Sequence, residues 1–205
     1  MKVVSSFLSG VLHPLLLPTY IFALVFFVFP EIAVPINPEM YLTLFLVIAV
    51  STCLFPAFMV VLLYKFRIVR KINIEDRTDR FLPQVISCLI YCSINWLFYS
   101  RLHFIPTLYL IMASITLCMV IVTITNFFWK ISAHSTGMGG LAAFFIFCTY
   151  FNGDETLLPV LGLVIIFSGF VMASRLYLQI HTLSQVCAGF LVGCITGLAV
   201  LANIS

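Results

Sequence analysis

Long apolar segments, separated by short charged or turn-rich stretches, are the feature that most constrains this chain. Most are about 15 to 25 residues long, and a helix needs about 20 apolar residues to cross the hydrocarbon core of a bilayer. Seven can be counted, at about residues 7–29, 40–64, 82–99, 107–128, 135–150, 157–173 and 182–204. Because backbone polar groups in lipid must be satisfied within the protein, we predict that these segments are transmembrane helices.

The composition supports the same class. Of the 205 residues, 63% are hydrophobic and only 8% are charged, whereas soluble domains carry roughly 25% charged residues. No remaining stretch is long enough for a separate soluble domain, so we predict one integral membrane domain over residues 1–205, an all-α polytopic transmembrane helix bundle of about seven helices. We expect the first segment to be a retained helix, because its apolar run exceeds the apolar core of a signal peptide.

Three polar stretches interrupt the apolar pattern, and charged residues at such places are costly unless they are used. They comprise a run around residues 71–83 with Lys71, Arg77 and Arg80, a second run at 130–137 with Lys130, Ser132 and His134, and a third at 174–185 with Arg175, His181 and Gln185. Seven crossings would put all three at the membrane face that carries the N-terminus. The sequence therefore predicts a cationic pocket with two histidines, which suits a phosphate ester.

These stretches resemble the signature of the type 2 phosphatidic acid phosphatase superfamily: Lys-x6-Arg-Pro, Pro-Ser-Gly-His and Ser-Arg-x5-His-x3-Asp, in that order. The third stretch matches at Ser174-Arg175 and His181 and has Gln185 where the family has Asp. The second matches at Ser132 and His134. The first is matched only at its Arg, by Arg80 or by Arg77. The resemblance covers about residues 70–197 and implies a helical core like that of the family.

The resemblance implies a metal-independent lipid phosphatase or pyrophosphatase. His181 would attack phosphorus and become phosphohistidine, and His134 would protonate the leaving alkoxide. Substrate binding would fall to hydroxyl and cationic side chains, namely Ser132, Arg175, Arg77, Arg80, Lys71 and Lys130. Fixed cations and hydrogen-bond donors can stabilise the charge spread over three phosphoryl oxygens. The expected partners are a lipid phosphate or polyprenyl (pyro)phosphate and membrane lipids, with no nucleic acid, no metal and no cofactor.

Gln185 is the most consequential departure from the family signature. At position i+4 of a helix it would lie on the same face as His181, where its oxygen could accept the Nδ1 proton and fix the tautomer. Unlike Asp, it carries no charge to stabilise an imidazolium, so we expect orientation to be kept and the rate to fall unless Glu75, Asp76 or Asp79 supplies the charge. Similarly, Lys130 could replace the missing Lys of the first stretch.

Other interpretations stay open beside this one. One alternative is that the cations of the first stretch belong to a solvated loop. Lys130 can also be interpreted as an interfacial anchor, and His134 and His181 as polar residues that only pack within the bundle. His13 and His103 match no motif and are interpreted as structural. At the level of function, one alternative is a weak or inactive relative that binds a lipid phosphate or acts as a scaffold, and another is a haem protein with His134 and His181 as axial ligands.

The distribution of cations predicts the orientation. Nine of the ten Lys and Arg residues fall on the N-terminal face in the seven-helix topology, and Arg101 alone falls on the other. The positive-inside rule then directs the pocket toward the cytoplasm, although members of the family commonly have their site on the outer side. We expect a multi-pass protein of a bacterial inner (plasma) membrane.

Overall fold

A computed structural model describes residues 2–69, 77–103, 105–151, 153 and 155–204. Over these residues the chain forms helices and turns and no strand, so the all-α prediction is confirmed for them. The α-helices of this described part are α1 (Lys2–Val11), α2 (Leu17–Phe27), α3 (Tyr41–Ala49), α4 (Phe55–Lys65), α5 (Arg77–Leu102), α6 (Pro106–Phe128), α7 (Ala133–Ile146), α8 (Leu158–Tyr177) and α9 (Leu183–Leu201).

Five helical stretches within the described residues are long and apolar enough to cross a membrane. They are Pro38–Lys65, Arg80–Leu102, Pro106–Phe128, Glu155–Tyr177 and Leu183–Ile204. The first of them contains α3 and α4, which a π-helical turn at Val50–Leu54 joins. Large apolar side chains point outward from these helices, as lipid-facing surfaces require; Phe58 is 59% exposed and Ile195 is 65% exposed.

The first and fifth predicted segments are not among these five stretches, so the described residues support five spans rather than the predicted seven. The first segment breaks between α1 and α2, because Pro14 cannot donate the backbone hydrogen bond that a continuing helix needs and a turn forms there, with Leu16 N–H bonded to the carbonyl of His13 at 2.8 Å. The fifth forms α7 and continues in a π-helical turn to Phe151, but it begins with the polar residues His134, Ser135 and Thr136 and is less apolar than the five spans.

Helices α7 and α9 form the closest interface of the bundle. A Cβ on Gly193 would collide with the carbonyl of Thr136, and a Cβ on Gly139 would collide with the carbonyl of Phe190. Glycines at these positions therefore let the two backbones touch, as small residues do at helix interfaces in membranes. Because this interface begins at the first turns of both helices, it fixes the second and third polar stretches relative to each other.

Candidate active site at one end of the bundle

Three separate parts of the chain meet at one end of the bundle. Helix α5 begins there, α6 ends and α7 begins there, and α8 ends where α9 begins. A direct backbone hydrogen bond ties two of these junctions together, because Ser132 N–H donates to the carbonyl of Gln185 at 3.3 Å. The structure therefore brings Arg80, His134 and His181 to the same end of the bundle.

A cavity of about 670 Å³ opens at this end and continues into the apolar interior. Its polar end is lined by Arg80, His134 and Arg175, together with Ser9 and His13 from the N-terminal region. Two of the predicted cations thus lie beside one predicted histidine at the same opening. A volume of this size lies within the range that small-molecule sites occupy.

His181 is held by the first turn of α9. Thr182 is the N-cap residue, and its N–H donates to Oε1 of Gln185 at 3.1 Å, in a capping box. The same Oε1 lies 3.1 Å from Nδ1 of His181. The predicted hydrogen bond is therefore present, but His181 precedes the N-cap and lies outside α9, so the bond does not run along a helix face as predicted. A carbonyl oxygen only accepts, so Nδ1 carries the proton and Nε2 presents its lone pair.

The surroundings of His181 keep its imidazole neutral. Its side chain is only 7% exposed, and burial, followed by the positive charge of Arg80, lowers its pKa from 6.5 to about 4. The hydrogen bond that His181 Nδ1 donates to Gln185 raises the pKa, while the charges of Arg175 and Lys130 lower it further. A neutral imidazole with a fixed tautomer and cations around it is the form that a histidine nucleophile needs.

His134 is positioned by the start of α7. Ser132 caps that helix by accepting a hydrogen bond from Ser135 N–H at 3.3 Å. Nε2 of His134 lies 3.1 Å from the carbonyl oxygen of Ser9, so this nitrogen carries the proton. Burial and the nearby positive charge of Arg175 lower the pKa of His134 well below its usual value, and its imidazole is therefore neutral as well.

No protein-family model, curated protein or solved structure matches this chain. The interpretation of the site therefore depends on its own geometry and on the three polar stretches.

The N-terminal region supplies two site residues that the motifs did not predict. The ring of His13 contacts the ring of His134 edge-on, with the centroids 5.2 Å apart. The hydroxyl of Ser9 is buried at the cavity wall and makes no hydrogen bond within the described part of the chain. His13 was interpreted as structural from the sequence; its position inside an apolar segment was the signal that could have identified it.

Gln84 is a further polar residue of the cavity wall, one turn after Arg80 on α5. Its Oε1 accepts a hydrogen bond from Nδ2 of Asn126 on α6 at 2.9 Å. This bond connects the two helices close to the polar end of the cavity, and it fixes the amide of Gln84 so that Nε2 can donate. No motif predicted it, because its partner lies 42 residues away in sequence.

The remaining predicted residues have different outcomes. Lys130 lies close enough to His181 to lower the pKa of that imidazole. Ser132 is fully buried and its oxygen is used as the helix cap, so its role as a donor to substrate stays a prediction. Lys71 and the side chain of Arg77 lie outside the described residues, as do the carboxylates of Glu75, Asp76 and Asp79. Among the residues described, no group of three or more His, Cys, Asp or Glu could hold a metal ion.

Proposed function

We propose that this protein is a membrane-embedded lipid phosphatase or pyrophosphatase with a type 2 phosphatidic acid phosphatase-like core. The single observation that carries the proposal is the meeting of Arg80, His134 and Arg175 around one opening, with His181 within range of the same two arginine charges. That opening leads into an apolar cavity, so a phosphate at the polar end can remain attached to a hydrocarbon group inside.

In the first chemical step, Nε2 of His181 attacks phosphorus and forms a P–N bond while the bond to the leaving oxygen breaks. The guanidinium groups of Arg80 and Arg175 bind the three remaining phosphoryl oxygens, and Gln185 keeps the Nδ1 proton of the nucleophile in place. In the second step, water attacks the phosphohistidine and gives a proton to His134, which is neutral after the first step. The P–N bond breaks, inorganic phosphate is released, and neutral His181 is regenerated. Splitting the reaction in this way lowers the barrier of each step.

His134 would act as the general acid. In the absence of an anion its imidazole is neutral, because burial and the surrounding positive charges disfavour a second proton. A bound phosphate dianion offsets the positive charges of Arg80 and Arg175 and raises the pKa of this imidazole, since an opposite charge within about 4 to 6 Å favours the charged form. The acid would then be protonated only when substrate is present, and Nδ1 would be the nitrogen that delivers the proton.

A second candidate function is the binding of a lipid phosphate without turnover, as in a scaffold protein. It is favoured by the partner of His181, which is the neutral amide of Gln185 rather than a carboxylate. An amide orients the ring but does not stabilise the positive charge that develops on it during attack. Binding needs only the cations, whereas turnover needs that charge to be stabilised as well.

We also propose the finer topology and the location. With α1 and α2 counted as one broken crossing, and α7 with its π-helical turn as another, the chain would cross the membrane seven times. The distribution of cations would then place the polar end of the cavity at the cytoplasmic face of a bacterial inner membrane. Labelling of single cysteines introduced at Lys2, Glu31 and Gly153 of a variant without the native cysteines, with an impermeant reagent on intact cells, tests both points. With seven crossings Glu31 and Gly153 should both lie on the side opposite Lys2, and with the cation-rich face in the cytoplasm only these two positions should be labelled.

The activity is tested with purified protein and a panel of lipid phosphates, including phosphatidate, diacylglycerol pyrophosphate and a polyprenyl pyrophosphate. We expect wild type to release phosphate and His181→Ala to lose the activity together with any acid-labile phosphoryl label. His103→Ala is the matched control, because His103 lies at the other end of α5, 23 residues from Arg80. If wild type releases phosphate from no member of the panel, the hydrolase proposal fails and the binding function gains.

A further inference from the structure

The cavity extends far beyond the groups that a phosphate would contact. From Arg80 its wall continues along α5 to Tyr91, and from His134 it continues along α7 to Phe144. At 1.5 Å per residue, both paths are about 15 Å long. Ile111, which also lines the cavity, lies 15 residues before Asn126 on α6, a distance of about 22 Å. These depths are about half to three quarters of the roughly 30 Å hydrocarbon core of a bilayer.

The inner end of the cavity is apolar and deeply buried. Tyr91, Ile111, Phe144 and Leu201 line it, and none of them is more than 3% exposed. The hydroxyl of Tyr91 donates to the carbonyl of Thr52 at 3.0 Å and therefore does not present an unsatisfied polar group to the cavity. The wall at this depth is suited to a hydrocarbon group.

Polar residues along the middle of the wall use their hydroxyls within their own helices. Ser87 donates to the carbonyl of Pro83 at 2.8 Å, and Ser114 donates to the carbonyl of Ile111 at 2.8 Å. These hydrogen bonds leave mostly carbon and already bonded oxygen facing the cavity. The polar groups are thus concentrated at one end, and the chamber behind them has no strong requirement for a polar ligand.

We propose that this chamber binds one unbranched hydrocarbon chain of about twelve to fifteen carbons, belonging to the molecule whose phosphate occupies the polar end. The inference rests on the proposed site for a phosphate ester and specifies its substrate as a single-chain amphiphile. Carbon–carbon bonds near 1.52 Å at angles near 111° advance an extended chain by roughly 1.25 Å per bond, so depths of about 15 to 22 Å hold about twelve to eighteen carbons. The chamber therefore limits the length of the chain.

The volume agrees with one chain rather than two. If a methylene group takes about the 30 Å³ that a water molecule takes in the liquid, a cavity of about 670 Å³ has space for roughly twenty such groups. A phosphate and one chain of twelve to fifteen carbons fill that space. A second chain of the same length would have to remain outside the chamber.

Gly140 offers a way to shorten the chamber without disturbing its polar end. It lines the cavity, and a Cβ at this position would meet no other atom within 4 Å. It follows His134 by six residues on α7, a distance of about 9 Å, so the side chain in Gly140→Leu would leave space for about seven carbons. Gly169→Leu is the matched control, because Gly169 precedes Arg175 by six residues on α8, is exposed, and would also place its Cβ in open space.

The test measures the dissociation constants of n-alkylphosphonates with four to eighteen carbons for wild type, Gly140→Leu and Gly169→Leu in the same detergent. Phosphonates are not hydrolysed, so the measurement does not depend on turnover. Dividing the dissociation constant of the variant by that of wild type at each chain length cancels the partition of the ligand into detergent. For Gly140→Leu we expect this ratio to stay near one up to about six carbons and to rise at least tenfold at twelve carbons. The reason is that each buried methylene is worth about fourfold in affinity. For Gly169→Leu we expect a ratio near one throughout.

A ratio that does not change with chain length in Gly140→Leu, or that rises equally in Gly169→Leu, would overturn the chamber proposal. If Gly140→Leu does not fold, Gly140→Ala gives the same comparison with a smaller expected rise at the longest chains. Failure of the proposed function has a different signature: the length dependence would be present while wild type releases no phosphate from any alkyl phosphate. Binding of inorganic phosphate alone reports the polar end and should be equal in all the variants.

Discussion

Replacing Gln185 with Glu adds one negative charge to the site and leaves the shape of the side chain unchanged. Glu is the residue most often found at this position of a capping box, and a negative charge is favourable at a helix N-terminus. The hydrogen bond to Nδ1 of His181, which is 3.1 Å long in the wild type, can therefore be retained. The substitution tests whether the missing charge is what limits the chemistry.

The expected size of the effect follows from the geometry. A carboxylate at hydrogen-bonding distance stabilises the imidazolium, and an opposite charge this close changes a pKa by about 1 to 3. The pKa of His181, now lowered to about 4 by burial and by Arg80, should therefore rise to between about 5 and 7. Each unit corresponds to 1.36 kcal/mol, so the same charge can lower the barrier to attack enough to raise turnover by roughly ten- to a thousandfold.

Two measurements check this prediction. Histidine NMR of labelled protein in detergent gives the pKa of His181 directly, and the acid limb of kcat/KM against pH gives it through activity, because the free enzyme must hold this imidazole neutral. In wild type the limb should lie near pH 4, and in Gln185→Glu it should move toward neutral pH. Gln185→Leu is the control that removes the hydrogen bond and adds no charge. A titration of His181 that is unchanged in Gln185→Glu would refute the inferred contact between the two side chains.

Three further predictions follow from the packing, the buried histidine and the cations. Gly193→Val should lower the free energy of unfolding by about 1 to 3 kcal/mol, because its Cβ meets the carbonyl of Thr136. Gly162→Val, on the open face of α8, should leave it unchanged, and equal melting temperatures for Gly193→Val and Gly162→Val would contradict the close α7–α9 interface. Acidification from pH 6.5 to 4 should reduce the unfolding free energy by at most about 3 kcal/mol through His181, because its imidazole takes up a proton at a higher pH in the unfolded state than in the folded state. Equilibrium unfolding of His181→Gln should show a weaker dependence on pH, and an unchanged dependence would contradict the lowered pKa of His181. Inorganic phosphate at a hundred times its dissociation constant for wild type should stabilise wild type by about 2.7 kcal/mol. The same concentration should stabilise Arg175→Gln by much less, as a thermal shift would show, and equal stabilisation of both would exclude this arginine from the site.

The sequence predicted the parts of the fold and site that depend on local pattern. Apolar segments of membrane length indicated the helical class. The spacing of four between His181 and Gln185 led to the prediction of their hydrogen bond, although the bond forms at the capping box before α9 and not along a helix face. Both features are local in sequence, so no knowledge of the tertiary fold was needed.

The parts that could not be predicted depend on contacts between distant segments. His134 bonds to the carbonyl of Ser9, 125 residues earlier, and the ring of His13 reaches it for the same reason. Nothing in the three polar stretches indicates that α1 returns to them. The number of membrane-length helices is a different case, because its causes are local: Pro14 interrupts the first segment, and polar residues begin the fifth.

The double use of the Gln185 oxygen has a consequence for the temperature dependence of the site. Because one Oε1 accepts both the Thr182 N–H and the His181 Nδ1 proton, fraying of the first turn of α9 also frees the imidazole to rotate. Helix ends open at small cost compared with global unfolding. The fraction of molecules with a correctly oriented His181 should therefore decline on warming before the bundle itself melts, and hydrogen exchange at the amides of the first α9 turn would report that fraction directly.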